Sequence, residues 1–199
     1  MTTMKTALIF EKSDIANLPT KHGHFKVRAY KEGAQEHLAI FTDNFEKNEA
    51  PLVRIHSQCL TGDTFGSIKC DCNNQLNKAL ELIAKEGGLI IYHAQEGRNI
   101  GLLNKLNAYA LQDQGRNTIE ANVELGFHAD QRTYDVVREI FNDFGLTKIK
   151  LLTNNPAKVV VVEGLNVEIV ERIPVIIDSN PYNEGYLKTK KDHMGHFLD

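Results

Sequence analysis

The chain has 199 residues, 42% hydrophobic and 25% charged, which suits one globular domain with an ordinary core. A net charge of −3 and a pI of about 6.2 argue against a general nucleic-acid binder, which is usually basic, yet leave room for a phosphate-bearing small molecule that needs only local positive charge. No apolar run approaches a membrane span, and MTTMKTALIFEKSD lacks a small-residue cleavage pattern, so no membrane segment or signal peptide is expected and the cytoplasm is the expected compartment.

In chain order, HFKVRAYK, EHLAIFTD and PLVRIHS alternate or cluster apolar residues at strand length, with Lys21-His22-Gly23 and Thr42-Asp43-Asn44 as turn residues. Leu76, Ala79, Leu80, Ile83 and Ala84 recur at helical spacing over 74–86, and Gly87-Gly88 closes that helix. LIIYH reads as a buried strand. A second helix near 100–114 carries Leu102, Leu103, Leu106, Tyr109 and Ala110 on one face, which makes Tyr109 a core aromatic. A third, near 131–144, turns Val137, Ile140, Phe141 and Phe144 inward. KIKLLT is a strand, and Asn155-Pro156 opens a short helix, since proline is tolerated in a first turn. The run VVVV at 159–162 is ambiguous because β-branched residues disfavour helix. NVEIVER is a last strand, and the polar tail from about Asn180 holds a helical piece near 183–191. The pattern is an α/β fold of mixed α+β character. A β-rich N-terminal part packs with a β/α-alternating core in a single compact domain, 1–199.

Cys59, Cys70 and Cys72 are the only cysteines, and they share one short stretch, CLTGDTFGSIKCDC. An odd cluster at this spacing reads as metal ligation rather than a disulfide framework. Zinc takes four ligands, and three thiolates leave one place open, as a catalytic site requires. Such a metal lowers the pKa of water toward about 7. Three buried idle cysteines, or a structural zinc closed by His56, are the plainer alternatives; Gly62, Asp63, Gly66 and Asp71 make the stretch loop-like rather than core-like. QEGRNIG at 95–101 leads from a strand through a glycine loop into a helix, where backbone N–H groups and Arg98 favour an anion; an ordinary strand-to-helix turn is an even alternative. LTNNPAK at 152–158 repeats the design with Lys158, though Thr153 and the asparagines could simply cap the helix. Two such loops beside a metal site fit a polyphosphate. Asp130 alone reads as an N-cap and Arg132 as a surface residue.

RIHSQCLTGDTFGSIKCDCNNQL, IIYHAQEGRNIGLLNKLNAYALQDQG and LLTNNPAK, with PTKHGHF near the start and KKDHMGHFL at the end, resemble GTP cyclohydrolase II over roughly residues 18–197. The resemblance implies a monofunctional enzyme without a fused dihydroxybutanone-phosphate synthase domain. It implies opening of the imidazole ring of GTP, with release of C8 as formate and of pyrophosphate. The product would be 2,5-diamino-6-ribosylamino-4(3H)-pyrimidinone 5′-phosphate, for riboflavin synthesis. It implies one Zn²⁺ per subunit on Cys59, Cys70 and Cys72 with the fourth position open to water, Mg²⁺ with the triphosphate, and a homodimer, with no nucleic-acid or membrane partner. Residues matching GTP contacts are Arg54, Ile55, His56, Ser57, Gln58, Gln75, Glu96, Gly97, Arg98, Thr118, Thr153 and Lys158. Asp130 matches a proton acceptor, Arg132 a nucleophile and Tyr109 the active-site tyrosine, whose presence implies full deformylation. A protonated guanidinium is a poor nucleophile, so a phosphate clamp is the simpler role for Arg132. Glu96 is expected to accept the N1 and N2 protons of guanine.

Gln58 stands where the family usually has glutamate, which removes a charge beside a metal ligand and makes a weakened or inactive paralogue, binding zinc and GTP without ring opening, the alternative. A nucleic-acid-binding zinc protein and a phosphohydrolase yielding only GMP and pyrophosphate are further rivals. Asn73 and Asn99 occupy positions where glycine is common, and asparagine tolerates positive φ, so both loops are expected to be preserved.

Overall fold

The computed structural model describes residues 10–128 and 130–198, the side chains of Thr118, Ile119 and His193 excepted. In chain order the elements are β1 (Glu11–Lys12), β2 (Ala16–Thr20), β3 (Gly23–Glu32), β4 (Gln35–Phe41), a 3₁₀ turn (Phe45–Lys47), β5 (Leu52–Ser57), α1 (Leu60–Asp63), α2 (Cys72–Glu86), β6 (Gly88–His93), α3 (Glu96–Asn99), α4 (Gly101–Gln112), α5 (Thr118–Glu124), α6 (Asp135–Asp143), β7 (Lys148–Leu152), α7 (Pro156–Gly164), β8 (Glu168–Ile173) and α8 (Glu184–Met194).

The eight strands form one mixed α/β sheet in the order β1-β3-β4-β6-β5-β7-β8, with β2 also pairing β3. The first four strands and the β4–β6 pair are antiparallel, whereas β6, β5, β7 and β8 run parallel. Strand side chains alternate between faces. Val53, Ile55, Leu89 and Ile91 therefore meet Val136, Val137, Ile140 and Phe141 of α6 in one core. Leu52 and Ile90 meet Ala79 and Ile83 of α2 in the other. A parallel strand buried on both faces should be continuously apolar. β5 breaks that rule at Arg54 and His56, both buried and both on the α2 side with Leu52. Buried polar residues in a central strand mark where the sheet gives way from packing to chemistry.

The strands and long helices fall where the periodicity places them, with four differences. The VVVV run is helical in α7. Pro156 sits in the first turn, Asn155 Oδ1 caps the Ala157 N–H at 2.9 Å, and Val159 and Val162 pack on the core one turn apart. The helix expected near 131–144 begins only at Asp135. Asn73 lies in the first turn of α2 rather than in a left-handed loop, whereas Asn99 has φ 71°. The leucines of the expected apolar face of α4 point outward, Leu103 72% and Leu106 47% exposed, while Lys105 and Ala108 are buried and Tyr109 lines a cleft. The inward face of α4 lines a polar cleft, so a lysine has displaced the leucines from it.

Candidate functional site

β5, β6 and β7 end together at Ser57, His93 and Leu152, and the loops that follow surround one cleft. In open parallel sheets ligands bind at this carboxyl edge. Cys59, Cys70 and Cys72 lie on one wall, their sulfurs all within 4.8 Å of one another. None is in a disulfide. The Cys59 and Cys70 sulfurs are 3.6 Å apart. Tetrahedral ligation at a metal–sulfur distance of about 2.3 Å sets sulfurs about 3.8 Å apart. Gly62 permits this closeness: a Cβ there would lie 3.0 Å from the Cys70 sulfur and 3.1 Å from that of Cys59. Hydrogen bonds from Cys70 and Cys72, and then the Lys105 ammonium, hold the Cys59 thiol far below its ordinary value. The Cys70 thiol is pushed up to about 11, chiefly by its bond to Cys59, and Cys72 is raised too. Ionisation therefore settles on one sulfur unless a cation joins the trio. The donor set fits a thiophilic divalent ion.

His56 does not close this set. Its Nε2 faces both carboxylate oxygens of Asp63 at 3.2 Å. Asp63 also accepts from Tyr92 at 2.9 Å and from the Cys59 N–H at 3.0 Å. Glu96 is likewise engaged. Its Oε1 accepts from Lys105 at 2.7 Å and the Gly97 N–H at 3.0 Å, and its Oε2 accepts from the Leu60 N–H at 2.6 Å. A carboxylate has about four acceptor sites, and three are taken here, one of them by the cysteine loop. Lys105 reaches on to the Cys59 sulfur at 3.2 Å and to Thr61 at 3.1 Å. The turn is tight: Gly97, Arg98 and Asn99 are all left-handed, with φ of 60°, 60° and 71°. Left-handed backbone costs a side-chain-bearing residue about 1–2 kcal/mol. At Gly97 a Cβ would also sit 3.1 Å from Lys105 Cβ.

The cleft lining is also rich in cations. Arg132 takes Asp130 in a fork and donates to Ser57 Oγ at 2.8 Å. Burial pushes the Asp130 carboxyl up, but the Arg132 hydrogen bonds and charge outweigh it and hold Asp130 low. Arg132 is in turn held protonated against burial. Arg54 donates to Leu152 O at 3.0 Å and to Gln75 Oε1 at 2.6 Å. Lys158 is buried and donates to Ile55 O at 2.7 Å. Burial, then Arg54, Arg132 and Lys190, depress its pKa strongly. So many cations facing one space call for an anion.

The structure brings Arg54, His56, Ser57, Gln58, Gln75, Glu96, Gly97, Arg98, Thr153 and Lys158 to the cleft, with Tyr109, Arg132 and the three cysteines. Ile55 faces the α6 core and offers only its carbonyl. Asp130 sits outside the lining, behind Arg132. Thr118 opens α5, and its side chain lies outside the described residues. Sequence reasoning missed Lys69, Lys105, Asn154, Tyr186 and Lys190.

A family model described as GTP cyclohydrolase II matches residues 11–174. A protein named GTP cyclohydrolase-2 from Campylobacter fetus subsp. fetus is 57% identical over 189 residues, 94% of this chain and 96% of its own. Another of that name, from Campylobacter hominis, is 53% identical over 190 residues, 95% and 96% of the two chains. The riboflavin biosynthesis protein RibBA of Chlorobium phaeovibrioides is 50% identical over 198 residues, which cover 98% of this chain and 48% of that longer one. With a matching family model across most of its length and relatives above half identity, this chain belongs to the GTP cyclohydrolase II family.

Proposed function

We propose that this protein hydrolyses GTP in a zinc-dependent reaction that opens the imidazole ring. It releases formate and pyrophosphate and leaves 2,5-diamino-6-ribosylamino-4(3H)-pyrimidinone 5′-phosphate for riboflavin synthesis. One observation carries this reading: a three-sulfur cluster and a group of buried cations line a single cleft. Cys59, Cys70 and Cys72 would hold the zinc, which would supply Lewis acidity when bound.

The chain's own residues bind, orient and move protons. Burial pushes the Tyr109 phenol up, ahead of the opposing influence of Lys105, so it stays protonated at neutral pH. It can donate to a purine ring nitrogen as the bond to C8 breaks. Arg54, Arg98, Arg132 and Lys158 hold the phosphates, with Mg²⁺ carried on the triphosphate and its waters. Arg132 acts as a clamp rather than a nucleophile, because Asp130 keeps its guanidinium charged. Ser57, fixed by Arg132, and Gln75, fixed by Arg54, position rather than react. His56, Gln58, Gly97, Thr118 and Thr153, with the backbone of Ile55, complete the nucleotide contacts.

The outward leucines of α4 and Val123 of α5 are an apolar surface suited to a homodimer. Among the described residues no helix is long and apolar enough to cross a membrane. The proposed compartment is the cytoplasm, where three free thiols stay reduced. We assign all 199 residues to one domain.

The test is to incubate zinc-loaded protein with GTP and Mg²⁺ and to quantify formate, pyrophosphate and the diaminopyrimidine. Equal yields of the three support the proposal. GMP and pyrophosphate without formate would make the protein a phosphohydrolase. GTP binding with no product would favour the weakened paralogue that Gln58 suggests. Replacing Gln58 with Glu, which restores a carboxylate beside Cys59, should then raise kcat at least threefold while leaving zinc content unchanged.

A further inference from the structure

The family model ends at residue 174, yet the chain beyond it forms a wall of the cleft. Tyr186, Lys190 and Met194 of α8, followed by His196, face the same space as Arg54, Arg132 and Lys158. This segment is clasped at both ends by one residue, Asn154. The Asn154 side chain donates to Val175 O at 2.7 Å and accepts from the Val175 N–H at 2.8 Å. Its backbone carbonyl accepts the Phe197 N–H at 2.8 Å. Between those points α8 crosses the cleft and stops at Gly195, whose φ of 61° turns the chain back. The Arg172 guanidinium then lies 4.5 Å over the Phe197 ring and fastens the end. Arg98 adds a contact from its guanidinium to the Met194 sulfur at 3.2 Å.

Lys190 is the charged group on the inner side of this strap. Its side chain is only 13% exposed, and its ammonium pairs with Asp71 at 2.8 Å. Asp71 also accepts from Gln75 at 2.5 Å, and Gln75 in turn takes Arg54 at 2.6 Å. One carboxylate thus serves a chain of polar groups that ends in two cations. An ammonium carries three donors, so Lys190 can keep Asp71 and still present a donor to an anion in the cleft. Lys158 lines the same cleft, so both lysines face one space.

We infer that Lys190, carried across the cleft on a C-terminal strap clasped by Asn154, is a substrate-binding cation for the polyphosphate of the nucleotide. This rests on the nucleotide reading above and deepens it. The strap forms part of the binding wall, and Lys190 acts in binding rather than in bond breaking. Its removal should therefore appear in KM and not in kcat.

The experiment compares full-length, zinc-loaded wild type with Lys190→Met, Lys190→Arg and Phe197→Ala. It uses steady-state turnover of GTP, calorimetric binding of inorganic tripolyphosphate, and thermal melting. Lys190→Met is expected to raise KM for GTP at least tenfold with kcat within threefold, and to weaken tripolyphosphate by a similar factor. Lys190→Arg should recover most of both. Phe197→Ala, which loosens the strap from outside the cleft, should raise KM in the same direction. If Lys190→Met lowers the melting temperature but leaves KM and tripolyphosphate affinity at wild-type values, the lysine only ties α8 to α2, and the inference is overturned. Should Lys190→Met fail to fold, Phe197→Ala decides: wild-type KM and tripolyphosphate affinity in that variant would overturn it. A wild type that neither turns over GTP nor binds tripolyphosphate would remove the nucleotide reading itself, and this inference with it.

Discussion

At the residue scale the sulfur cluster depends on an absence. Gly62 leaves the space that lets the Cys59 and Cys70 sulfurs approach, and a methyl group there would also press on Cys72 Cβ at 3.3 Å. Overpacking of this kind costs about 1–3 kcal/mol, and here the strain falls on the ligands. Gly62→Ala is therefore expected to weaken zinc at least tenfold in competition with a chromogenic chelator, with an unchanged far-UV circular dichroism spectrum. Unaltered affinity would mean that the loop relaxes without disturbing the sulfurs. The cysteines themselves were legible in the sequence because thiolate spacing carries its own chemistry. Lys105 and Lys190 were not. A long flexible side chain gives no sign in sequence of whether its end meets solvent or, as for Lys105, a buried carboxylate and a thiolate. The partners of Glu96 were hidden for a related reason: Leu60 N–H and Lys105 come from elements that only the fold brings together.

At the element scale one carboxylate fastens α6 to the antiparallel part of the sheet. Asp143 accepts from Lys12 at 2.9 Å, Arg28 at 2.8 Å and the Tyr30 hydroxyl at 2.5 Å. Burial pushes its pKa up, but those three hydrogen bonds outweigh it and hold the carboxyl at about 2, below its ordinary 3.8. Because the folded value is the lower one, the stabilisation is complete above about pH 4 and is lost as pH falls toward 2. Asp143 is an exposed residue and water screens its ion pairs, so the contribution at neutral pH is on the order of 1 kcal/mol. Asp143→Asn should lose about that much in urea unfolding at pH 7, and its deficit against wild type should shrink to under half by pH 2.5. An equal deficit at both pH values would assign the loss to packing instead. Elements with strong periodicity, such as α2 and α6, were readable from sequence, whereas β1 and β2 were not. They are short, half-exposed edge strands whose pairing with β3 depends on the sheet already being present. α3 was unreadable for a different reason, since its left-handed Arg98 contradicts local preference and is imposed by the site around it.

At the scale of the whole molecule, the core on the α6 face of the sheet runs on toward the cleft as a buried ring stack. His37 stacks on His93 with centroids 5.1 Å apart, and His93 stacks on Tyr134 at 5.2 Å. His37 Nδ1 accepts the Ala94 N–H at 3.0 Å, which leaves its proton on Nε2, turned toward Glu32 at 3.7 Å. Neither ring nitrogen of His93 has a partner among the described residues. Burial lowers His37 from 6.5 to about 4. Burial, then His37, Lys158 and Arg132, lower His93 to about 3. Both rings are thus held neutral in the fold and gain protons more readily when it opens. Stability is full above about pH 6.5 and declines as pH falls toward these folded values, a window well above the one set by Asp143. Between pH 7.5 and 5.5 the two rings together should remove on the order of 2 kcal/mol. Urea denaturation of metal-free protein isolates this effect from proton competition at the thiolates. His93→Phe, which keeps an aromatic ring in the stack but cannot titrate, should remove about half of the slope. A midpoint that is flat from pH 7.5 to 5.5 in wild type would mean that the rings reach water or a partner in solution, and the stack would then be no barrier to protonation.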